Sequence, residues 1–200
     1  MKTLAIVNVM LTICAGVYAG TIDPYTEGSK YAYGENVGWF NFAPSPSGVT
    51  VSNGTVSGYV WQENIGWINL SPANFGGVTY DASWKCGGYA WGENVGWINF
   101  DPAVPFDRPN LYKVSVSPDG VFSGWAWGEN IGWIYFDGTQ RWAVRACVVT
   151  LDDLTNFASF WLQSGNLPAN LDLTNAVDMN DYSIFASYWQ DFCPDGWRLK

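Results

Sequence analysis

Apolar and polar positions alternate with a period of two in short runs, and the same alternation returns four times along the chain. Residues 57–61 (SGYVW) and 67–70 (WINL) form one instance. Both runs are too short for a helix and rich in the aromatic and β-branched residues that strands favour. Between them lie Gln62 to Gly66, where Asn and Gly tolerate positive φ, so the segment predicts a β-hairpin closed by a Glu-Asn-x-Gly turn. The full phrase reads YGENVGWFNF at 33–42, WQENIGWINL at 61–70, WGENVGWINF at 91–100 and WGENIGWIYF at 127–136. An aromatic, Glu-Asn, an aliphatic and Gly-Trp in fixed register make an internal repeat and not a bias of composition.

A third strand is expected in each unit. Val49-Thr50-Val51, Val78-Thr79-Tyr80 and Val114-Ser115-Val116 lie between successive copies, and Arg141-Trp142-Ala143-Val144 would serve the fourth. The repeat tryptophans Trp39, Trp67, Trp97 and Trp133 are 28, 30 and 36 residues apart, the extra length falling in a Pro-rich insertion at 101–111. The expected fold is therefore mainly β: four three-stranded aromatic units, either closed like a propeller or prism or stacked like a solenoid, followed by a small C-terminal α-helical module. Closure is preferred, because 141–144 can fill the place of the strand that the first copy lacks and so remove an exposed edge. An open stack explains the repeats as well.

The chain divides into three expected segments: a signal peptide at 1–19, the four-copy repeat domain at 20–146 and the helical module at 147–200. Met1-Lys2 carries one positive charge, a mostly apolar run follows, and Val17-Tyr18-Ala19 supplies a small residue for cleavage before Gly20. The run is short for a membrane span and nothing later is long enough, so no span is expected after cleavage. Without Lys2, eighteen acidic residues face eight basic ones, a net charge near minus ten. So acidic a surface repels phosphate backbones and anionic lipid, which argues against nucleic acid and membrane surfaces as partners. Thirteen Trp, eleven Tyr and eleven Phe are more rings than a core of this size needs.

The pairs Glu35-Asn36, Glu63-Asn64, Glu93-Asn94 and Glu129-Asn130 have two readings. In the functional one they are four like sites for sugar hydroxyls or cations, with the following Trp as a stacking face. In the structural one Glu accepts from turn amides or an indole N–H, Asn takes the left-handed turn position, and the Trp of each Gly-Trp belongs to the core. The need of every hairpin for such a lock favours the second. Glycoside hydrolysis requires an asymmetric pair of carboxylates, whereas these are repeated alike. The chain has no His, which removes Ser-His and Cys-His nucleophiles and His-ligated zinc.

From about Cys147 the pattern changes to a helical one. Leu154, Phe157, Ala158, Trp161 and Leu162 share a face, and Thr150 with Asp153 makes a cap, so a helix is expected over 151–164. Residues 170–181 (NLDLTNAVDMND) then fit a twelve-residue calcium loop. Asn170, Asp172, Thr174, Asp178 and Asp181 offer side-chain oxygens at positions one, three, five, nine and twelve. Ala176 offers its carbonyl at seven, and Asn175 stands where glycine usually makes the turn. Val177 at position eight is apolar, as packing against a helix requires. Phe185-Ala186-Ser187-Tyr188-Trp189 echoes Phe157-Ala158-Ser159-Phe160-Trp161 at an offset of 28, which pairs Asp153 with Asp181. The segment is a duplication whose first loop, with Trp142, Val144, Ala146 and Cys147 at would-be ligand positions, has no metal set.

With its degenerate upstream copy and the closing Cys193-Pro194-Asp195-Gly196-Trp197, the segment at 170–189 resembles the dockerin type I family, particularly the divergent modules of secreted planctomycete-type bacterial proteins. The resemblance covers roughly the last 55 residues. It implies a calcium-stabilised helical module that docks to a cohesin-like or cell-surface protein, often on proteins that degrade polysaccharide. The W-x-E-N-x-G-W phrase resembles Trp-rich extracellular repeats of bacteria. Cys147 and Cys193 bracket the duplicated segment and are expected to form a disulfide, leaving Cys86 as a buried free thiol. The chain thus reads as a secreted, non-catalytic surface protein with Ca2+ as its cofactor. Its repeat domain would recognise a glycan or a protein, with a role in polysaccharide breakdown or in self-assembly as the alternatives.

Overall fold

A computed structural model describes residues 20–102, 113–137, 142–174, 176–194 and 196–200. The expected signal peptide, most of the 101–111 insertion, Arg141, Asn175 and Asp195 lie outside the described residues.

Each repeat phrase is a hairpin: β1 (Tyr31–Gly34) with β2 (Gly38–Asn41), β4 (Thr55–Gln62) with β5 (Gly66–Asn69), β7 (Cys86–Gly92) with β8 (Gly96–Asn99), and β10 (Phe122–Gly128) with β11 (Gly132–Phe136). The hairpins do not radiate as blades. They stand side by side as the staves of one barrel, in the order β1-β2-β4-β5-β7-β8-β10-β11, and β11 pairs back to β1 through Tyr33↔Tyr135. The fold is thus mainly β and closed, but it is an eight-stranded barrel and neither a propeller nor an open solenoid.

The third strands form a second tier on the same staves. β3 (Val49–Ser52) pairs with the first half of β4, β6 (Val78–Tyr80) bridges β4 and β7, and β9 (Ser115–Val116) pairs with β10. This tier closes as well, by single bridges at Lys85↔Ser115, Val121↔Arg145, Lys30↔Val144 and Ile22↔Ala146 and by the Thr21 amide donating to Val49 O at 2.9 Å. Val144 therefore fills the expected gap, as one bridge and not as a strand. The long staves change tier at Gly58, Gly88 and Gly124, where φ is 100°, 81° and 101° and a Cβ would lie 2.0–2.2 Å from the carbonyl of Gly48, Gly77 or Lys113. Only glycine fits there.

Alternation decides the core. Ala32, Phe40, Val60, Ile68, Ala90, Ile98, Ala126 and Ile134 point inward, joined by Phe42, Leu70, Phe100 and Phe136. These side chains fill the lumen down to a void of about 10 Å³, room for one water at most. The barrel interior is a packed core, filled by its own side chains.

Two helices follow, α1 (Leu151–Ser159) and α2 (Met179–Ser187), each opening on a capping box, Thr150 with Asp153 and Asp178 with Asp181. α1 ends five residues earlier than expected, because Leu162 takes φ 61° and turns the chain; Trp161 and Leu162 are exposed instead of sharing the buried face. The 28-residue offset is visible in the backbone. Leu162 N–H donates to Val177 O and Gln190 N–H to Val149 O, while Val177 N–H donates to Gln163 O and Val149 N–H to Asp191 O. Phe157 and Phe185 meet at 5.2 Å across this pseudo-twofold. Cys147 and Cys193 form the expected disulfide, with Cα atoms 5.3 Å apart. Phe192 reaches into the barrel cluster, where it meets Tyr80 edge-on and Trp84 at a tilt. Among the described residues no helix is long and apolar enough to cross a membrane.

Candidate functional site

The repeat tryptophans are on the outside. With Ile68 and Leu70 turned inward, a period of two sends Trp67 and Asn69 outward, and the same holds in every copy. The expectation that each Gly-Trp indole belongs to the core is therefore overturned: Trp39 and Trp67 are exposed, and Trp97 and Trp133 are half-buried. Across each hairpin the outer rings pair, Tyr33 with Trp39, Trp61 with Trp67, Trp91 with Trp97 and Trp127 with Trp133, at 5.0, 4.9, 4.7 and 4.8 Å between centroids. The result is an aromatic girdle around a barrel whose outer face would ordinarily be polar.

Within the Glu-Asn pairs the two residues have parted roles. Each Asn side chain donates to a carbonyl in the turn of a neighbouring hairpin: Asn36 to Ile131, Asn64 to Val37, Asn94 to Ile65 and Asn130 to Val95, all between 3.0 and 3.1 Å. The four bonds run head to tail around the mouth of the barrel. Asn does not take the left-handed position; Gly38, Gly66, Gly96 and Gly132 do, with φ between 76° and 89°. In the second copy Gln62 replaces a glycine and accepts from the Asn64 and Ile65 amides at 2.7 and 2.9 Å. Glu35, Glu63, Glu93 and Glu129 are exposed, and the expected bonds from turn amides or indoles to their carboxylates are not formed among the described residues.

One junction of the girdle is hollowed into a cleft of about 460 Å³, lined by Phe75, Tyr89, Trp97, Asn99, Trp127 and Glu129. It lies between the third and fourth hairpins, where Asn99 stands opposite Trp127. Asn99 Oδ1 accepts the Asp101 amide at 2.9 Å, which fixes the side chain and leaves its NH2 to donate outward. Phe75 forms the wall. It is 78% exposed, stands edge-on to Trp97 at 5.2 Å and has φ 65°, a conformation that costs a bulky residue about 1–3 kcal/mol. Strain and exposure together mark this side chain as placed for contact. Nothing in the sequence pattern singled out Phe75, since it belongs to no repeat.

The expected calcium loop brings its acids together. Asp172, Asp178 and Asp181 have ligand atoms within 4.8 Å of one another, the span of two oxygens on one ion at about 2.4 Å each. Asp181 is fully buried, its oxygens accepting the Leu171, Asp172 and Asp178 amides at 2.6, 3.0 and 2.9 Å. Hydrogen bonds from Thr174, backbone first, hold the Asp172 carboxyl below the usual carboxylate range. Asn170, at loop position one, is 3% exposed; its NH2 donates to Gly165 O and Thr174 O, while Oδ1 is buried without a partner. An orphaned buried acceptor beside three carboxylates fits a hard cation. The Thr174 side chain is exposed, and Ala176 bridges to Ser164.

The first half keeps the buried acid but places a different partner on it. The offset maps Ala176 onto Val148 and Asp181 onto Asp153, and it is Lys200 Nζ that meets both, donating to Val148 O at 2.9 Å and to Asp153 Oδ2 at 2.7 Å. Tyr25 OH of the barrel is a third neighbour at 3.1 Å. The Lys200 and Asp153 side chains are 8% and 2% exposed.

These features define a class, a closed antiparallel barrel with an external aromatic cleft, followed by a helical segment with an acidic loop. Compared with known proteins, the chain matches no family model, no curated protein and no solved structure.

Proposed function

We propose that the barrel is a non-catalytic glycan-recognition domain and that its cleft between Trp97 and Trp127 takes a neutral polysaccharide. The single observation behind this reading is an exposed cleft of about 460 Å³ whose walls are aromatic and whose rim carries an amide and a carboxylate, Asn99 and Glu129. The C–H faces of a pyranose are apolar and stack on indole and phenol rings, while its equatorial hydroxyls need partners at the ring edge. Asn99 supplies the donor and Glu129 the acceptor. With no Lys or Arg among the described lining residues, a chain of uronic acids or sulfated sugars would meet an uncompensated carboxylate. Glu129 is also the sole carboxylate among them, so the paired acids of a glycosidase are not assembled there.

The second part of the proposal is a tether. Asn170, Asp172, Thr174, Asp178 and Asp181, with the Ala176 carbonyl, would hold Ca2+, whose charge would neutralise the acid cluster and fix the loop. The loop and its pseudo-twofold support a dockerin-like role toward a cohesin-like or cell-surface protein, and the disulfide supports export.

Sedimentation with insoluble cellulose, xylan and chitin tests the first part, with tryptophan fluorescence as readout. Retention on at least one, lost in a folded Trp97→Ala/Trp127→Ala variant, is the expected result. Equal partition of both proteins to the supernatant would refute it, and scattering that rises with protein concentration alone would favour self-assembly through the girdle.

A further inference from the structure

We infer that the barrel carries a second glycan cleft, diametrically opposite the first, so that one molecule bridges two polysaccharide chains. The inference rests on the proposed reading of the first cleft and extends it to the junction between the first and second hairpins. In the ring of eight staves the β2–β4 and β8–β10 junctions are four positions apart, which places them on opposite sides.

The chemistry of the first cleft is repeated there by register. Asn41 stands opposite Trp61 as Asn99 stands opposite Trp127. Asn41 Oδ1 accepts the Ala43 amide at 2.9 Å, the same restraint that Asn99 has, and so presents its NH2 outward. Glu63 follows Trp61 by two residues as Glu129 follows Trp127, and it too is exposed with no protein partner among the described residues.

The wall is repeated too, although no repeat phrase encodes it. Phe75, in the loop after the second hairpin, stands edge-on to Trp97; Trp142, after the fourth hairpin, stands edge-on to Trp39 at 5.0 Å and 77°. In both cases an aromatic from the preceding loop covers the Gly-Trp indole of the next hairpin. Trp39 remains 47% exposed under this neighbour.

The other two junctions depart from this pattern. Between the second and third hairpins Trp67, Asn69 and Trp91 recur, but the preceding loop at 43–48 reads Ala-Pro-Ser-Pro-Ser-Gly and offers no aromatic wall. Between the fourth and first, Tyr135 replaces the Asn and faces Tyr33, which removes the fixed donor. Two opposed sites, with a weaker unwalled one between them, is the arrangement these residues give.

Titration of the intact protein with cellohexaose, xylohexaose and chitohexaose, followed by native mass spectrometry, counts the sites. Two equivalents of at least one hexasaccharide are expected, falling to one in Trp61→Ala and to one in Trp127→Ala, each facet weakened about tenfold. Glu63→Gln, which leaves every ring in place, should weaken the same facet as Trp61→Ala and guards against misfolding. Wild-type protein should also enlarge hydroxyethyl cellulose complexes in light scattering, and neither single-facet variant should. One equivalent, unchanged by Trp61→Ala or Glu63→Gln but lost in Trp127→Ala, would overturn the second cleft and leave the first standing. No equivalent of any hexasaccharide would overturn both.

Discussion

The barrel and the helical segment are both built by duplication, yet they are held by different physics. The barrel's four copies share one apolar interior with almost no void and are latched by neutral amide bonds. The two helical copies bury a smaller cluster around the Phe157–Phe185 contact and add capping carboxylates, a buried ammonium and a disulfide. Closing a ring of strands removes edges and lets the core carry stability, whereas two nine-residue helices bury too little apolar surface to do so. Near neutral pH the helical segment should therefore answer to redox, charge and cations, and the barrel to none of them.

Four perturbations break or sharpen this contrast. Reduction should cost most: opening Cys147–Cys193 frees a 46-residue separation, about 4 kcal/mol in the chain-entropy picture. Hydrogen exchange resolved by segment should then rise in α1 and α2 while β4, β7 and β10 stay protected; equal deprotection of the staves would break the contrast. Next comes Lys200→Met, which leaves Asp153 buried and uncompensated and should cost about 3 kcal/mol in denaturant melts. Calcium should raise the stability of the helical segment by about 2.7 kcal/mol at a hundredfold excess over its dissociation constant, a gain absent with chelator and absent in Asp172→Ala/Asp181→Ala. Identical melts in all three conditions would dismiss the cation. Asn94→Ala should cost only about 1 kcal/mol, the loss of one neutral hydrogen bond at an exposed turn.

The smallest effect at neutral pH concerns Cys86. Burial pushes its thiol from 9.0 up to about 12. The fold keeps this proton where the unfolded chain has lost it, so its contribution is intact below about pH 9 and drains away as pH rises toward 12. Iodoacetamide at pH 8 should leave native Cys86 unmodified and label it on unfolding; native labelling would show an open barrel.

Several of these features were written in the chain. The turn chemistry of Glu-Asn-x-Gly gave the hairpins, Thr150 with Asp153 gave a true cap, and the bracketing cysteines gave the disulfide. The face of the tryptophans was also legible, because Trp67 shares its parity with Asn69 and Ile68 with Leu70, yet the structural reading of the turns carried the indoles into the core with it. The Asn latches escaped because they join residues 27 to 95 positions apart, beyond any argument confined to one turn. Lys200 and Asp153, 47 residues apart, meet only once the chain is folded. Phe75 and Leu162 take left-handed conformations that glycine usually occupies, so no local rule marked either.

The head-to-tail amide bonds at the barrel's mouth make the number of copies an all-or-none property. Deleting one hairpin would shrink the ring around phenylalanines that already touch, and adding one would open a hollow that the same Phe, Ile and Val could not plug. Lineages carrying this phrase should therefore vary freely in loop length and in the walls of their clefts, while the tally of hairpins stays at four.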